Sequence, residues 1–318
     1  MKPQILGCGL LLALGALGGC SRDNAQTLPQ AVNGSTRDYA SHSKARMKLY
    51  VSDPAANAVH VYQIDASGPK EIGTIKNGID APAGLAVDGS GNLYVANTAG
   101  NSVTEYPEGQ YDAATTFSSG LTGPVDVAVD DSGTLYVANF YSFPRSIVEF
   151  PKGSSEPSVT IRNPCSCYPT GLTLDAGGNL YVNYENLYWY MYYYEYPRGK
   201  TQGVDLGLQS GLTFWEDGGV VSSSSGGLLV ANATLPGVQV FGKGGKCDGL
   251  SCTPTQTFAT QDSPRFLSFE ASGHYIFVAN AAKKSVDEYS YPAGALVRTI
   301  KSGLTSAYGI AVSPPASF

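Results

Sequence analysis

The stretch PAGLAVDGSGNLYVAN, Pro82–Asn97, sets two short apolar runs, Gly84–Val87 and Leu93–Ala96, on either side of a polar DGSGN. Each run is too short for a stable helix and is rich in residues that favour strands. The intervening Asp, Gly and Asn tolerate the backbone angles of a tight hairpin, so Pro82–Asn97 reads as two antiparallel strands. The second strand recurs along the chain. LYVSD begins at Leu49, LYVAN at Leu93 and at Leu135, LYVNY at Leu180, LLVAN at Leu228 and IFVAN at Ile276, with spacings of 44, 42, 45, 48 and 48 residues.

The first strand recurs with it as DVAVD from Asp126, GLTLD from Gly171, GVVSS from Gly219 and FLSFE from Phe266. A third segment follows each second one: VTEYPEG, IVEFPKG, YYEYPRG, VQVFGKG and VDEYSYP. A fourth, such as ATTFSSGL from Ala114, closes the unit. Four short strands per repeat of this length is the pattern of a β-propeller blade. The turns DGSGN, DDSGT and DAGGN make their aspartates structural rather than catalytic. GIAVS from Gly309 is a first strand with no second, and KLYVSD from Lys48 is a second strand with no first. Joined, they complete a sixth blade and remove the open edges of a linear array. The expected fold is therefore all-β, one six-bladed propeller over residues 47–318, with the ring closed by both termini. Blades are numbered one to five from Pro82, and the closing blade is six.

The repeat P-x-G-L-A-V-D-x-x-G-N-L-Y-V-A-N resembles the NHL repeat, and the likeness covers essentially everything from Lys48 onward. It implies the six-bladed fold; the function is left open because relatives include lactonases, amidating lyases, strictosidine-synthase-like proteins and binding modules. In the senescence marker protein/gluconolactonase family, metal ligands include Asn or Asp just before the Gly of a first strand. The matching positions here are Ala83, Val125, Thr170, Gly218, Arg265 and Tyr308, none of them a carboxylate or amide. His42, His60 and His274 are scattered, so the histidine-held zinc of the amidating lyases has no counterpart. The streptogramin lyases have seven blades and a catalytic histidine; neither is matched. No metal, cofactor or catalytic residue is assigned.

Asn97, Asn139, Asn183, Asn232 and Asn280, with Asp53, end the second strands, where each is expected to cap its turn. Glu105, Glu149, Glu195 and Glu288 repeat on third strands and are expected to face outward. Another set does not repeat. In a propeller the fourth-to-first and second-to-third loops share one face, here called the top. On it fall Phe140, Tyr141, Phe143 and Arg145 of blade two and Tyr168 at the entry to blade three. Tyr184, Tyr188 and Trp189 of blade three and Phe214, Trp215, Glu216 and Asp217 at the entry to blade four complete the group. The matching loops of blades one, five and six are NTAGNS, NAAKKS and DPAANA. A need of the fold would repeat in every blade. An aromatic ridge on one side of the disc instead reads as a non-catalytic binding face for a glycan, peptide or envelope protein. The alternatives are a hydrolase or lyase at the channel mouth and a scaffold of an envelope assembly.

At the N-terminus, Lys2 precedes an apolar run from Ile5 to Leu17 and then LGGC ending at Cys20. The run is shorter than the roughly 20 residues of a membrane span and reads as a signal peptide over residues 1–19. LGGC resembles the bacterial lipobox, which implies lipidation of Cys20. Ser21 in place of Asp implies the outer membrane or cell surface. Residues 20–46 are polar and without period, a disordered tether reaching about 25–30 Å. Membrane contact is then through the lipid alone, and a monomer is expected. An oxidising compartment favours disulfides among the remaining cysteines. Cys247 with Cys252 lie in one bottom hairpin and are expected to pair; Cys165 with Cys167 in a top loop are either a second disulfide or two free thiols. A net charge of −6, with 14% charged residues and no basic run, disfavours nucleic acid.

Overall fold

The structure is a computed structural model, which describes residues 47–188, 190–208, 219–232, 237–243, 253–260, 264–270 and 272–314. The described residues form six antiparallel four-stranded sheets and no helix. Blade six takes β1 (Met47–Asp53), β2 (Ala58–Asp65) and β3 (Gly68–Ile75). Blade one is β4 (Pro82–Val87), β5 (Leu93–Asn97), β6 (Ser102–Tyr106) and β7 (Thr115–Phe117). Blade two is β8 (Pro124–Val129), β9 (Leu135–Asn139), β10 (Ser146–Phe150) and β11 (Val159–Arg162). Blade three is β12 (Tyr168–Leu174), β13 (Leu180–Glu185), β14 (Met191–Tyr196) and β15 (Val204–Asp205). Blade four is β16 (Val220–Ser222), β17 (Gly227–Asn232), β18 (Gly237–Lys243) and β19 (Gln256–Ala259). Blade five is β20 (Pro264–Phe269), β21 (Tyr275–Asn280), β22 (Ser285–Ser290) and β23 (Leu296–Ile300). The last strand, β24 (Ile310–Ser313), pairs with β1 from Lys48↔Ser313 to Val51↔Ile310 and completes blade six.

Both LYVAN strands are buried at every position, because each face of a blade packs on a neighbouring blade. The core is accordingly divided into six clusters, each spanning one blade–blade seam. Leu85, Leu93 and Val95 of blade one pack with Tyr50, Val59 and Val61 of blade six. At the closing seam, Phe277 and Val286 of blade five meet Leu49, Tyr62 and Val312 of blade six. A blade alone would leave both apolar faces wet, which is why the ring folds as one unit.

The hairpin aspartates behave as their turn chemistry requires. Asp88 Oδ1 accepts the amides of Ser90 and Asn92 at 2.8 and 2.9 Å. Asp130 and Asp175 repeat the arrangement in blades two and three. Glu270, one methylene longer, does the same in blade five.

Asp53 caps its turn as expected, accepting the Ala56 amide at 2.9 Å, whereas Asn97 and Asn139 work differently. Asn97 Oδ1 accepts the amide of Asp80 and Asn139 Oδ1 that of Thr122, so each holds the loop that enters its own blade. Asp53 also does this for the closing strand, accepting from the amides of Thr305 and Ser306 at 2.6 and 3.0 Å. A second set couples blades. Asn57 and Asn101, both at positive φ, accept the amides of Ala81 and Gly123 at the entrance to the following blade. Third-strand glutamates are also not uniform. Glu288 is fully buried and pairs with Arg298 Nε at 2.8 Å, so it does not face outward. It is sheltered beneath the outer strand β23, which carries Arg298.

Candidate functional site

Two top loops carry four of the five exposed aromatic side chains among the described residues, Tyr111 of blade one being the fifth. In blade two, Phe140–Arg145 leaves β9 as a long excursion. The Tyr141 amide is fixed on Thr122 O, and its ring lies over Gly123, where a Cβ would come within 2.1 Å. Only glycine fits there, at φ +58°. Phe143 projects beyond, 91% exposed, with Tyr141 at 64%. In blade three, Asn186 builds the loop. Its Oδ1 accepts the amides of Tyr188 and Tyr190 at 2.8 and 3.1 Å, and its own amide reaches Tyr190 O at 3.0 Å. This tight turn holds Leu187, Tyr188 and Tyr190 outward, 70%, 77% and 52% exposed.

Between the loops, Tyr168 opens β12 as a half-buried base. The Arg145 guanidinium stacks on its ring at 3.6 Å, and Phe140 packs against it at 4.7 Å. Phe140 also meets Tyr141 edge-on at 4.8 Å. Phe140, Arg145 and Tyr168 thus form a supporting layer beneath the projecting rings. Tyr184 is not part of the face. It is fully buried in the seam of blades two and three, its hydroxyl 2.8 Å from that of Tyr196, and burial pushes its pKa well above the ordinary phenol value. β13 is buried at every position because both of its faces pack on neighbouring blades; Tyr184 falls with Leu180 and Val182 on the face toward blade two, and the chain reaches solvent only past Glu185. Leu187 and Tyr190 belong to the exposed set and were missed by sequence reasoning; the pointer is Asn186, whose side chain favours such a turn. Trp189, Phe214, Trp215, Glu216 and Asp217 lie outside the described residues, as do Cys20, Cys247 and Cys252.

Cys165 and Cys167 form a disulfide, with Cα atoms 5.1 Å apart, in the loop entering blade three. The two-thiol alternative is thereby resolved for this pair.

The six first strands surround an axial cavity of about 180 Å³. Its mouth positions Ala83, Val125 and Thr170 are buried and uncharged, and the Arg265 guanidinium sits 5.6 Å from the Tyr308 ring. Among the residues lining the cavity, Asp126 is the one titratable side chain. It stands where blade one has Gly84 and blade three has Gly171. Its oxygens accept the amides of Val127 at 2.9 Å and of Leu172, on the adjacent first strand, at 2.8 Å. Loss of water pushes the carboxyl up to about 8, an effect these two hydrogen bonds only partly offset. A Cβ at Gly84 would fall 2.0 Å from Asp126 Oδ1, so glycine in one blade makes room for the aspartate of the next. The departure from Gly at the head of DVAVD was the signal in the sequence. Both oxygens are occupied by backbone donors, so this carboxyl clamps two blades together rather than presenting itself to a ligand. Among the described residues no group of three His, Cys, Asp or Glu side chains converges to hold a metal ion.

Comparison with known proteins supports the fold. No family model matches the chain, and no curated protein matches its sequence. A chain from the crystal structure of a nidogen/laminin complex superposes with a TM-score of 0.68 at 15% identity, covering 84% of this chain and 98% of that one. A chain of Kuenenia stuttgartiensis hydrazine synthase gives 0.55 at 14% identity, covering 82% and 88%. The protein is similar to both as a six-bladed β-propeller.

Proposed function

We propose that the protein is an NHL-like binding propeller that recognises a protein or peptide partner, without catalysis, through the top of blades two and three. One observation carries the reading. Of the ten large hydrophobic side chains exposed among the described residues, five (Tyr141, Phe143, Leu187, Tyr188 and Tyr190) stand on these two loops. Clustered apolar exposure of this kind marks interaction surfaces. Phe143 and Leu187 offer no polar group to a sugar hydroxyl, which favours an apolar protein surface over a glycan. The stacked Arg145 and the tight Asn186 turn hold the face in place before binding, which reduces the entropy cost of association. The fold neighbour from a nidogen/laminin complex fits this reading. The lipobox-like LGGC supports a further part of the proposal, that lipid on Cys20 tethers the propeller at the outer membrane or cell surface.

The test is site-directed photo-crosslinking from positions 143 and 188, with position 66 on the opposite face as control, in the native envelope. A partner captured only from the top positions is then purified and its affinity measured. Replacing Phe143 and Tyr188 by Ser removes two anchors worth about 2 kcal/mol each, so Kd should rise about 30-fold for either change alone and toward about 800-fold for both. Unchanged affinity, or capture only from the opposite face, would refute the proposal. Saturable binding of purified glycans lost in the same variant would replace the protein partner with a sugar.

A further inference from the structure

We propose that the Cys165–Cys167 disulfide is a thiol–disulfide exchange site whose reduction, by a dithiol reductant, loosens the aromatic face. The consequence for partner binding rests on the function proposed above; the exchange site and its effect on the loops do not.

The bond joins residues two apart, so it closes a far smaller loop than the disulfides that stabilise folds by restricting the unfolded chain. Its structural effect is local. Around it the chain is folded back on itself: Asn163 Oδ1 accepts the Cys165 amide at 3.0 Å, and Asn163 Nδ2 donates to Cys167 O. The two cysteines are unequal. Cys167 is buried among Val125, Ala138 and Tyr184 in the seam, whereas Cys165 is half-exposed at its rim. An incoming thiolate therefore reaches Cys165.

From this loop three links run to Arg145. The Asn163 amide donates to Arg145 O at 3.3 Å, the Arg145 guanidinium donates to Ser166 O at 3.4 Å, and the same guanidinium stacks on Tyr168. Ser166 is the residue enclosed by the disulfide. Arg145 Nε is buried without a hydrogen-bond partner, so Ser166 O and the Tyr168 ring are what hold the guanidinium in place. Tyr168 supports Phe140, and Phe140 supports Tyr141. The sulfur atoms are thus connected by contiguous contacts to the blade-two half of the face.

The exchange balances as a two-electron transfer. A reductant thiolate attacks Cys165 Sγ, the S–S bond breaks, and Cys167 leaves as a thiolate that takes a proton. The reductant's second thiol, giving up its proton, attacks its own sulfur in the mixed disulfide, releasing Cys165 as a thiol and closing the reductant's disulfide. Once the ring is open Ser166 O is no longer fixed and Arg145 loses its anchor.

The test is hydrogen exchange of the intact protein with and without a phosphine reductant, with thiol alkylation to confirm that residues 165 and 167 are reduced. We expect amides in 140–146 and 163–168 to exchange at least about tenfold faster on reduction, while β20–β22 of blade five, across the ring from blade two, are unchanged. The double variant Cys165→Ser, Cys167→Ser should show the fast pattern without reductant and no response to it. A second measurement uses a purified dithiol oxidoreductase: a mixed disulfide at residue 165 should be trapped when that enzyme's resolving cysteine is replaced. Faster exchange confined to 163–168, or a disulfide inert to both reductants, overturns the proposal. Loop loosening with unchanged partner affinity would leave the exchange site intact and place the partner elsewhere on the propeller.

Discussion

Asp126→Asn tests the blade clamp through its pH dependence. In the folded chain the carboxyl keeps its proton up to about 8, against an ordinary value of 3.8 once unfolded. The folded state therefore binds one proton more than the unfolded state between these limits, and stability falls as pH rises through the interval. One proton corresponds to about 1.36 kcal/mol per pH unit, hence roughly 3 kcal/mol between pH 5 and pH 7. Below pH 4 the contribution is full; above pH 8 the curve flattens because both states are ionised. Asparagine has nearly the same shape but no proton to lose. It can accept only one of the two amides that Asp126 accepts, leaving the other donor facing its NH2 group, a cost of about 1–2 kcal/mol that does not vary with pH. Urea unfolding of both proteins from pH 5 to pH 9 measures the difference. The two proteins should be about equally stable near pH 5, and the variant the more stable by roughly 3–4 kcal/mol at pH 8. A carboxylic acid C=O stretch at pH 7, absent in the variant, would report the same proton directly by infrared spectroscopy. A stability difference constant to within about 0.5 kcal/mol across the range would refute the reasoning.

Four further outcomes are expected. Asp53→Ala leaves the amides of Ala56, Thr305 and Ser306 without their acceptor, and should cost about 3 kcal/mol or more in urea unfolding, with β24 the first strand to lose exchange protection. The Asp53 pKa carries the opposite sign to Asp126: desolvation raises it, but the amides of Ser306, Thr305 and Ala56 outweigh that and hold it below the usual value. Its contribution is therefore complete above about pH 4 and lost as acid protonates it, which acid titration of wild type against Asp53→Asn would show. Gly309→Ala places a Cβ 2.1 Å from Ala83 O and should destabilise the ring by roughly 2–3 kcal/mol, whereas Gly89→Ala, with nothing within 4 Å, should change it by less than about 0.5 kcal/mol. Asn186→Ala removes the acceptor for two amides of the blade-three loop; exchange in 186–190 should quicken and partner affinity fall, with global stability within about 1 kcal/mol.

The sequence by itself determined the blade, the blade count and the closure. Turn chemistry and strand composition are local, and a unit repeated six times states them six times. Hence Pro82–Asn97 identified the hairpin, the hairpin aspartates were assigned to turns, and the unpaired ends at Lys48 and Gly309 pointed to β24 on β1. Only the tertiary structure decided properties that depend on neighbouring blades. Tyr184 and Tyr188 are four residues apart, on either side of Glu185–Leu187, yet one lines a seam and the other projects into solvent, because burial follows the seam and not the composition. Glu288 and Glu105 occupy equivalent positions, but only Glu288 is sealed beneath an arginine on its outer strand. Asp126 stands out in the sequence only as the residue that replaces a first-strand glycine; what removes its water is the pair of adjacent first strands. Desolvation is a sum over everything within a few ångströms, and in a ring most of that comes from residues about 45 positions away, such as Leu172 and Gly84.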